Sequence, residues 1–412
     1  MSVQEQMMLT DTTKPSKAGL GEVSIEAPRL DSFVGRQNEP IEQGGLLNVV
    51  EPPYLIDTFL NNPPLDFASM QIAVENTETP AFLAMFDLLT TLDDDAQNVR
   101  EFFSRFPFLR RFVRFPTLFV GTTATEYANY PSLTNYGSLI DALLKEARQR
   151  GAQLVIIKDV PERSPLLSEA ENEKASQLLR ECVDAGGLSV AGQALAYVPI
   201  DFNNTDEFLA RMSKTRRKEF RKKLKDSAHV QIEELQCGNP KFSDPAFLEL
   251  MYQMYENVFQ QSEIHFDVLS RSFFHDLLTN ADGGGRVFLY KVDGRLIGYN
   301  ICFVIGDRLV DKYVGFIYPD ARNANLYFLS WFYNLEFAIK NNLKFYIAGW
   351  TDPKVKAALG AKFTLTRHAV FIRNPILRRI LKPLQPLFES DQNFLDECSS
   401  GSKNENGSRG KK

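Results

Sequence analysis

Cysteine and histidine are scarce in this chain of 412 residues, with four of each. The cysteines, Cys182, Cys237, Cys302 and Cys398, lie far apart, without a CxxC pair or a close histidine. Zinc sites and disulfide frameworks need more closely organised ligands or pairs. The sequence therefore predicts no metal site, and it favours a reducing compartment.

Long apolar runs and a strong excess of one charge are also lacking. No stretch approaches the roughly 20 apolar residues that span a bilayer, and the first residues, MSVQEQMMLTDTTKPSK, do not resemble a signal peptide. The formal net charge is only −5, so the whole chain is not expected to bind polyanions, although a local basic stripe still can. We expect a cytoplasmic globular protein.

Composition divides the chain into four segments. Residues 1–65 and 386–412 are polar and aperiodic, which predicts a mobile N-terminal extension and a disordered tail. Between them, residues 66–203 and 204–385 share an order of elements: predicted helices at 138–150 and 324–340 each precede a short apolar strand, at an offset of about 190 residues. We interpret this repeated order as two copies of one α/β unit, and we expect the active site in the second copy. The alternative is coincidence, because a helix followed by a strand is common in any α/β protein.

Three β-favouring runs joined by Asp293-Gly294 and Gly306-Asp307 predict an antiparallel meander. Counting outward from the turns places Cys302 opposite Asp311 and Asn300 opposite Tyr313. Since strand side chains alternate, one face is predicted to be mixed polar and to line a cleft. Its members are Lys291, Asn300, Cys302, Asp311 and Tyr313. The opposite face is predicted to be apolar apart from Lys312, with Phe288, Tyr290, Ile297, Tyr299, Ile301, Phe303, Val310 and Val314.

Residues 214–225 (KTRRKEFRKKLK) hold eight basic residues and one acid. Ser213 is a suitable N-cap, and Phe220 and Leu224 form an apolar edge four residues apart, so this stretch predicts a helix. Its density of like charge favours a phosphate-binding stripe for a CoA-type nucleotide, a nucleotide-sugar or RNA, with Arg217 and Arg221 among the contacts. The alternative is a solvated helix that links the halves.

Two shorter stretches are further candidates for holding phosphates. Residues 318–325 join the third meander strand to the apolar helix, where free N–H groups and the helix dipole can seat a pyrophosphate, with Arg322 adding charge. This turn has no glycine. After it, Pro353 is predicted to begin a short helix that Gly360 ends, and Lys356 on that helix is placed to reach a phosphate.

Glu263, His265 and Asp267 alternate along a segment before a phenylalanine-rich helix. A carboxylate beside an imidazole can accept a proton from an amine, so this group predicts an acceptor contact, although such clusters are often loop surface. Residues 106–115 and 371–388 mix apolar and basic residues. They fit core-and-surface helices better than peripheral membrane contact.

Together, the basic helix, the stretch SEIHFDVLSRSFF, the meander, the following helix and TDPKVKAALGA resemble the GNAT-like acyltransferases of the FemAB and BioF2-like branch. The likeness covers about residues 70–380. It implies an α/β fold of tandem GNAT-like domains, each a mixed, mostly antiparallel sheet flanked by helices. It also implies an enzyme that transfers an acyl or aminoacyl group to an amine.

The resemblance assigns roles to positions of this chain. The strand with Asp311 is similar to the central GNAT strand beside which a thioester lies, and Lys356 to Gly360 resemble the segment after the next strand. We predict Asp311, Tyr313 and Asn300 as the catalytic set that handles the proton and orients the reactants. Glu263, His265 and Lys291 are predicted to contact the acceptor. The residues predicted to hold the donor's phosphates are Arg322, Asn323, Asn325, Lys356, Arg217 and Arg221.

The expected function is therefore transfer of an acyl group from acyl-CoA, as a co-substrate and not a bound cofactor, to an amine by direct attack. A first alternative is a FemAB-type transferase that uses aminoacyl-tRNA on a cell-wall precursor. A second is a GNAT-shaped protein without catalysis that binds nucleic acid or another anion.

Overall fold

The computed structural model describes residues 45–91, 101, 105–262 and 266–381. The helices are α1 (Tyr54–Asn61), α2 (Gly137–Gln149), α3 (Glu169–Asp184), α4 (Thr205–Ala210), α5 (Lys214–Asp226), α6 (Pro245–Phe259), α7 (Arg271–Thr279), α8 (Asp320–Asn323), α9 (Leu326–Lys340), α10 (Pro353–Ala358) and α11 (Pro375–Leu381). The strands are β1 (Ala68–Val74), β2 (Thr77–Asp87), β3 (Arg114–Val120), β4 (Leu154–Glu162), β5 (Leu188–Pro199), β6 (Gln231–Gln236), β7 (Gly285–Val292), β8 (Arg295–Ile305), β9 (Arg308–Phe316), β10 (Phe345–Gly349) and β11 (Lys362–Ile372).

These strands form one 11-stranded sheet in the order β1-β2-β3-β4-β11-β5-β10-β9-β8-β7-β6. The pairs β3–β4 and β9–β10 are parallel, whereas the other neighbours are antiparallel. On the second half of the sheet, α5 and α9 cover one face, and α1, α6 and α7 cover the other. We call these the α9 face and the α7 face.

The predicted duplication is confirmed. The order β3–α2–β4–α3–β5 in the first half is repeated as β9–α9–β10–α10–β11 in the second, and each repeat begins with the parallel pair. Parallel neighbours need such a helical crossover. The fold is α/β, with two copies of one unit in tandem.

The two halves exchange their last strands. β11 lies between β4 and β5, while β5 pairs with both β11 and β10. Each half thus completes its sheet with a strand from the other. The predicted boundary between residues 203 and 204 therefore separates the chain in sequence, but it does not separate two sheets.

The meander turns have the predicted register, whereas the strands beyond them contain two irregularities. Val292 pairs with Arg295, Ile305 with Arg308, and Cys302 with Asp311. A register shift between Ile301 and Cys302 then places Asn300 opposite Val314 and not opposite Tyr313. A second shift, between Tyr290 and Lys291, places Phe288 opposite Asn300. The predicted pairing of Asn300 with Tyr313 is wrong, because the count from the turns allowed no bulge.

Part of the segment predicted to be mobile is folded. Residues 54–61 form α1, whose Leu55, Ile56 and Phe59 are buried in the same apolar cluster as α7. Leu46 bridges to Pro131 ahead of this helix. The predicted extension is therefore too long at its C-terminal end, while residues 1–44 and the predicted tail, 386–412, lie outside the described residues. None of the helices described is long and apolar enough to cross a membrane.

Candidate active site

The sheet has an opening between β9 and β10. These parallel strands pair only from Arg308–Phe345 to Val310–Ile347, although β9 continues to Phe316. From Asp311 onward, the edge of β9 that faces β10 has no strand partner within the part of the chain that the structure describes. We call this opening the notch.

Gly349 and Lys356 bound the notch together with Asp311. A Cβ atom added to Gly349 would lie 3.8 Å from Lys356 Nζ and 3.9 Å from the carbonyl oxygen of Asp311. The φ of Gly349 is 78°, a value that favours glycine. The positive φ of Gly349 thus lets the end of β10 turn away from β9.

The Asp311 carboxylate is held by three neutral donors. Asn300 Nδ2 donates to its Oδ1 at 2.6 Å, and Asn334 Nδ2 and the Tyr346 hydroxyl donate to its Oδ2 at 3.1 and 2.9 Å. Asn334 Nδ2 also lies 2.9 Å from Asn300 Oδ1. Both asparagines are completely buried. The donors fix the carboxylate in one orientation at the mouth of the notch.

Three elements supply this network. Cys302 pairs with Asp311 in the register of β8 and β9, so Asn300, two residues before Cys302, lies on the same face. Asn334 is a polar residue in the middle of the apolar helix α9, where Trp331 and Leu335 pack beside it in the core. Tyr346 lies on β10, and its ring packs against Trp331 at a centroid distance of 5.1 Å. The apolar core therefore positions the polar groups.

Lys356 is a buried lysine beside this carboxylate. Burial lowers its pKa to about 8, although Asp311 and Asp352 favour the charged form. Burial also raises the pKa of Asp311, while the hydrogen bonds from Asn300 and Tyr346 and the charge of Lys356 lower it. A lysine with such a pKa can donate a hydrogen bond or exchange a proton near neutral pH.

Tyr313 does not join Asp311 and Asn300. The bulge places Tyr313 opposite Ile301, and its ring lies 6.0 Å from the rings of both Phe273 and Phe274 of α7. The prediction that Tyr313 shares the face of Asp311 is therefore wrong. The predictions for Phe288, Tyr290, Ile297 and Val314 are also wrong, because these residues pack on the α9 face, with Asp311, and not on the opposite face.

Lys291 also lies away from the notch. It pairs with Leu296 close to the Asp293-Gly294 turn, and its ammonium donates to Glu233 on β6 at 2.6 Å. Leu296 and Cys302 are separated by about 20 Å along an extended strand. The structure thus does not bring Lys291 to Asp311.

The predicted phosphate-binding loop forms α8 and the start of α9. Arg322 donates to Gln261 Oε1 at 2.8 Å, and its guanidinium lies over the Tyr318 ring. Asn323 is exposed. Asn325, the N-cap of α9, has a φ of 49° and makes no side-chain hydrogen bond to the helix. The structure brings Arg322, Asn323 and Asn325 to one helix start, where the N–H groups of the first turn point outward.

The basic stretch forms α5, and Ser213 is its N-cap as predicted. Phe220 packs against Phe328 of α9 with ring centroids 4.9 Å apart. At the other end, the Ser227 hydroxyl donates to the Ala324 carbonyl at 2.9 Å, in the loop before α9. Arg221 pairs with Asp206 at 2.7 Å, and Arg217 donates to the Ala210 carbonyl at 3.4 Å. The basic helix therefore ends beside the predicted phosphate loop.

Two predicted acceptor residues, Glu263 and His265, lie outside the described residues. Asp267, the third member of that group, lies on the α7 face and is partly exposed. No group of three histidine, cysteine, aspartate or glutamate side chains among the residues described is arranged to hold a metal ion.

The sequence reasoning missed Asn334 and Tyr346. Asn334 had a usable signal, because an amide within an almost wholly apolar helix needs a buried partner. Tyr346 had no such signal, since an aromatic residue in a strand is ordinary.

A sequence model of the FemAB-like family, described as peptidoglycan biosynthesis/recognition, matches residues 157–393. No curated protein matches the chain.

Several solved structures resemble the fold at low identity. The L-PGS structure from Bacillus licheniformis has 10% identity and a TM-score of 0.46, and the match covers 82% of this chain and 98% of that one. FemX has 12% identity and a TM-score of 0.45, with 82% and 99% covered. A tandem GNAT protein from the clavulanic acid biosynthesis pathway has 11% identity and a TM-score of 0.38, with 78% and 88% covered.

Proposed function

The chain belongs to the FemAB-like family, and from that premise we propose that it is an N-acyltransferase that moves an acyl group from acyl-CoA to an amine. The notch carries this proposal. The free edge of β9 offers main-chain hydrogen bonds to an amide-containing arm such as that of CoA, in the manner of an added strand. A thioester at the end of that arm would then lie beside Asp311 and Lys356.

In this proposal, Lys356 stabilises the reaction's transition state. The amine nitrogen attacks the thioester carbon, negative charge develops on the carbonyl oxygen, and the carbon–sulfur bond then breaks to release CoA. An ammonium in a water-poor site stabilises such an oxyanion strongly. The start of α9, with Arg322, Asn323 and Asn325, binds the pyrophosphate, while Arg217 and Arg221 of α5 bind the remaining phosphate.

Asp311 and Asn300 act by orientation. The two carboxylate oxygens of Asp311 already accept three hydrogen bonds, and its charge favours the protonated form of Lys356. Asp311 therefore favours the charged form of the lysine, and Asn300 keeps the carboxylate in place. This arrangement leaves the removal of the acceptor's proton to another group.

Replacing Lys356 by methionine is expected to lower turnover by about 10²-fold, because the oxyanion loses its donor. Asp311→Asn is expected to have a similar effect. The measurement is release of free CoA from acyl-CoA with n-hexylamine as a probe acceptor, together with calorimetric titration of acetyl-CoA, a long-chain acyl-CoA and free CoA.

Lys354→Met is the matched control, because Lys354 lies on the same helix and is exposed. It should keep full activity. Full turnover by a folded Asp311→Asn protein would contradict the role given to the notch, and absence of CoA binding to the wild type would contradict the acyl-CoA donor.

The basic helix favours a second candidate, transfer from aminoacyl-tRNA. Six of its basic side chains are exposed: Lys214, Arg216, Lys218, Arg221, Lys222 and Lys225. Since α5 ends at the donor loop, a polyanionic donor could extend along it. Retention of charged tRNA that falls steeply between 50 and 200 mM salt, without binding of acyl-CoA, would favour this donor.

A further inference from the structure

A second polar cluster lies on the other face of the sheet from Asp311. Lys312 follows Asp311 on β9, and its side chain meets Glu126, from the loop after β3, and Glu51, from the segment before α1. Asp267 and Tyr313 complete the cluster on the α7 face. We call these five residues the underside cluster. Both halves of the chain contribute to it.

The cluster leaves buried polar atoms without partners. The Glu126 N–H donates to Glu51 Oε1 at 2.6 Å, and Lys312 donates to Glu126 Oε1 at 2.6 Å. The second oxygens of both glutamates, and the Tyr313 hydroxyl, are buried and have no hydrogen-bond partner among the residues described. Glu51 and Glu126 are 0% and 2% exposed. Buried carboxylate oxygens without donors are costly, so these atoms are suited to a ligand that brings its own donors.

The charge of the cluster indicates which charge the ligand carries. It contains the carboxyl groups of Glu51, Glu126 and Asp267 but only one lysine, Lys312. The neighbouring Lys158 pairs with Asp159 and donates to the Thr122 carbonyl. The cluster is therefore deficient in positive charge. A primary ammonium group supplies one positive charge and three N–H donors, and the unpartnered atoms are two carboxylate oxygens and one hydroxyl.

The pKa shifts agree with this electrostatic picture. Burial raises the pKa of Glu51 to about 7, with Lys312 opposing the rise and Glu126 adding to it. Burial lowers the pKa of Lys312, but Glu126 and Glu51 raise it by more. A carboxyl group whose pKa is near 7 is suited to accept a proton at neutral pH.

The underside cluster and the notch are neighbours in the structure. Asp311 and Lys312 are consecutive on β9, so the cluster lies directly across one strand from the Asp311 carboxylate. Burial raises the pKa of Asp311, and the charge of Glu126 adds to this rise. The next residue, Tyr127, packs its ring 6.4 Å from that of Trp350, which follows β10. The loop after β3 therefore lies against the segment that follows β10, beside the notch.

A substrate would approach the underside cluster past Asp267. Asp267 is partly exposed, whereas the side chains of Lys312, Glu126 and Glu51 are 6%, 2% and 0% exposed and lie deeper. Beside Asp267, the partly exposed ring of Phe266 packs against Phe67 and Phe119 at 5.1 and 5.4 Å. An apolar wall thus leads to the buried carboxylates.

We propose that the underside cluster binds the primary ammonium group of the acceptor, and that Glu51 and Glu126 prepare it for attack through the notch. The inference rests on the proposed acyl transfer and adds the missing base. Glu126, beside Lys312, holds the ammonium, and the Glu51 carboxylate takes one proton from it. The neutral amine attacks the thioester, the carbon–sulfur bond breaks, and the second amine proton leaves with the thiolate as CoA thiol. Glu51 then returns its proton to water.

Binding can be tested without a donor. Thermal unfolding is measured with n-hexylammonium chloride and with n-hexanol, for wild type, Glu51→Gln, Glu126→Gln and the exposed control Glu173→Gln. The ammonium should raise the Tm of wild type and control above the value in n-hexanol, and this difference should be lost in Glu126→Gln. Equal shifts in all four proteins would overturn the site.

Catalysis is tested with n-hexylamine and acyl-CoA. Glu126→Gln should raise the KM for the amine at least tenfold. Wild type should lose activity as the pH falls through about 7, and Glu51→Gln should lower kcat and remove this pH dependence. The pH profile distinguishes proton removal by Glu51 from a structural role. Lys312, Glu126, Lys158 and Asp267 all remain in Glu51→Gln, so a loss of the pH dependence is due to the Glu51 carboxyl group.

Calorimetry with acyl-CoA distinguishes the two proposals. Donor binding should be unchanged in both glutamine variants. If wild type transfers acyl groups and both variants keep its KM, kcat and pH profile, the underside site is wrong while the acyltransferase stands. If wild type binds hexylammonium but no acyl-CoA, the site stands and the donor is wrong.

Discussion

Lys356 is the residue at which burial and charge oppose each other most directly. Only 4% of it is exposed, and burial lowers its pKa to about 8 even though Asp311 and Asp352 act to raise it. In an unfolded chain the pKa of lysine is about 10.4. The folded state therefore binds this proton less tightly than the unfolded state, and the charged lysine reduces stability.

This conflict predicts a pH dependence of stability. Below pH 8 the lysine is protonated in both states, and the buried charge destabilises the folded state fully. Between pH 8 and about 10.4 the folded state loses the proton first, so this destabilisation disappears. Over this window, the free energy of unfolding of wild type should rise by about 3 kcal/mol relative to Lys356→Met. Denaturant unfolding at several pH values measures this difference. The difference between wild type and the exposed Lys354→Met control should not change with pH. A difference between wild type and Lys356→Met that does not change with pH would refute the lowered pKa of Lys356.

At the scale of elements, the chemistry of turns and caps could be predicted from the sequence, and bulges could not. Asp293-Gly294 and Gly306-Asp307 fix the pairing at the ends of the meander, so Asp311 opposite Cys302 is correct. The extra residue on β9 opposite Cys302, Lys312, has no sequence signature, and it reverses the faces of Tyr313 and the following residues of β9. The sequence thus locates Asp311 and Asn300 but misplaces Tyr313.

The basic helix α5 depends on one apolar contact. Phe220 is completely buried and packs against Phe328 and Phe332 of α9. Phe220→Ala should reduce the free energy of unfolding by about 3–5 kcal/mol, because a large cavity replaces the ring. The measurement is denaturant unfolding, with the exposed Lys222→Ala on the same helix as control, expected to change it by less than about 0.5 kcal/mol. A small loss for Phe220→Ala would mean that α5 is only loosely attached.

At the scale of the whole molecule, the repeated order of helices and strands could be predicted, but the exchange of strands could not. Both repeats follow the same local pattern whether β5 and β11 stay in their own halves or swap, because hydrophobic periodicity does not identify a strand's neighbour. The same limit hid the underside cluster. Glu51, Glu126 and Lys312 are distant in sequence, and only the folded chain brings them together.

The strand exchange predicts that the two halves do not fold as independent domains. β11 pairs along most of its length with β4 of the first half, and β5 pairs with β10 of the second. Without its partner, each half would therefore expose a long unpaired strand edge, which favours aggregation. Calorimetric unfolding of the full chain should show one transition with equal calorimetric and van't Hoff enthalpies. The two halves, residues 45–203 and 204–381, should be insoluble when they are expressed separately. They should form a soluble complex when they are expressed together. Two separate transitions, or a stable isolated half, would contradict the exchange, because a half that folds alone must satisfy its own sheet.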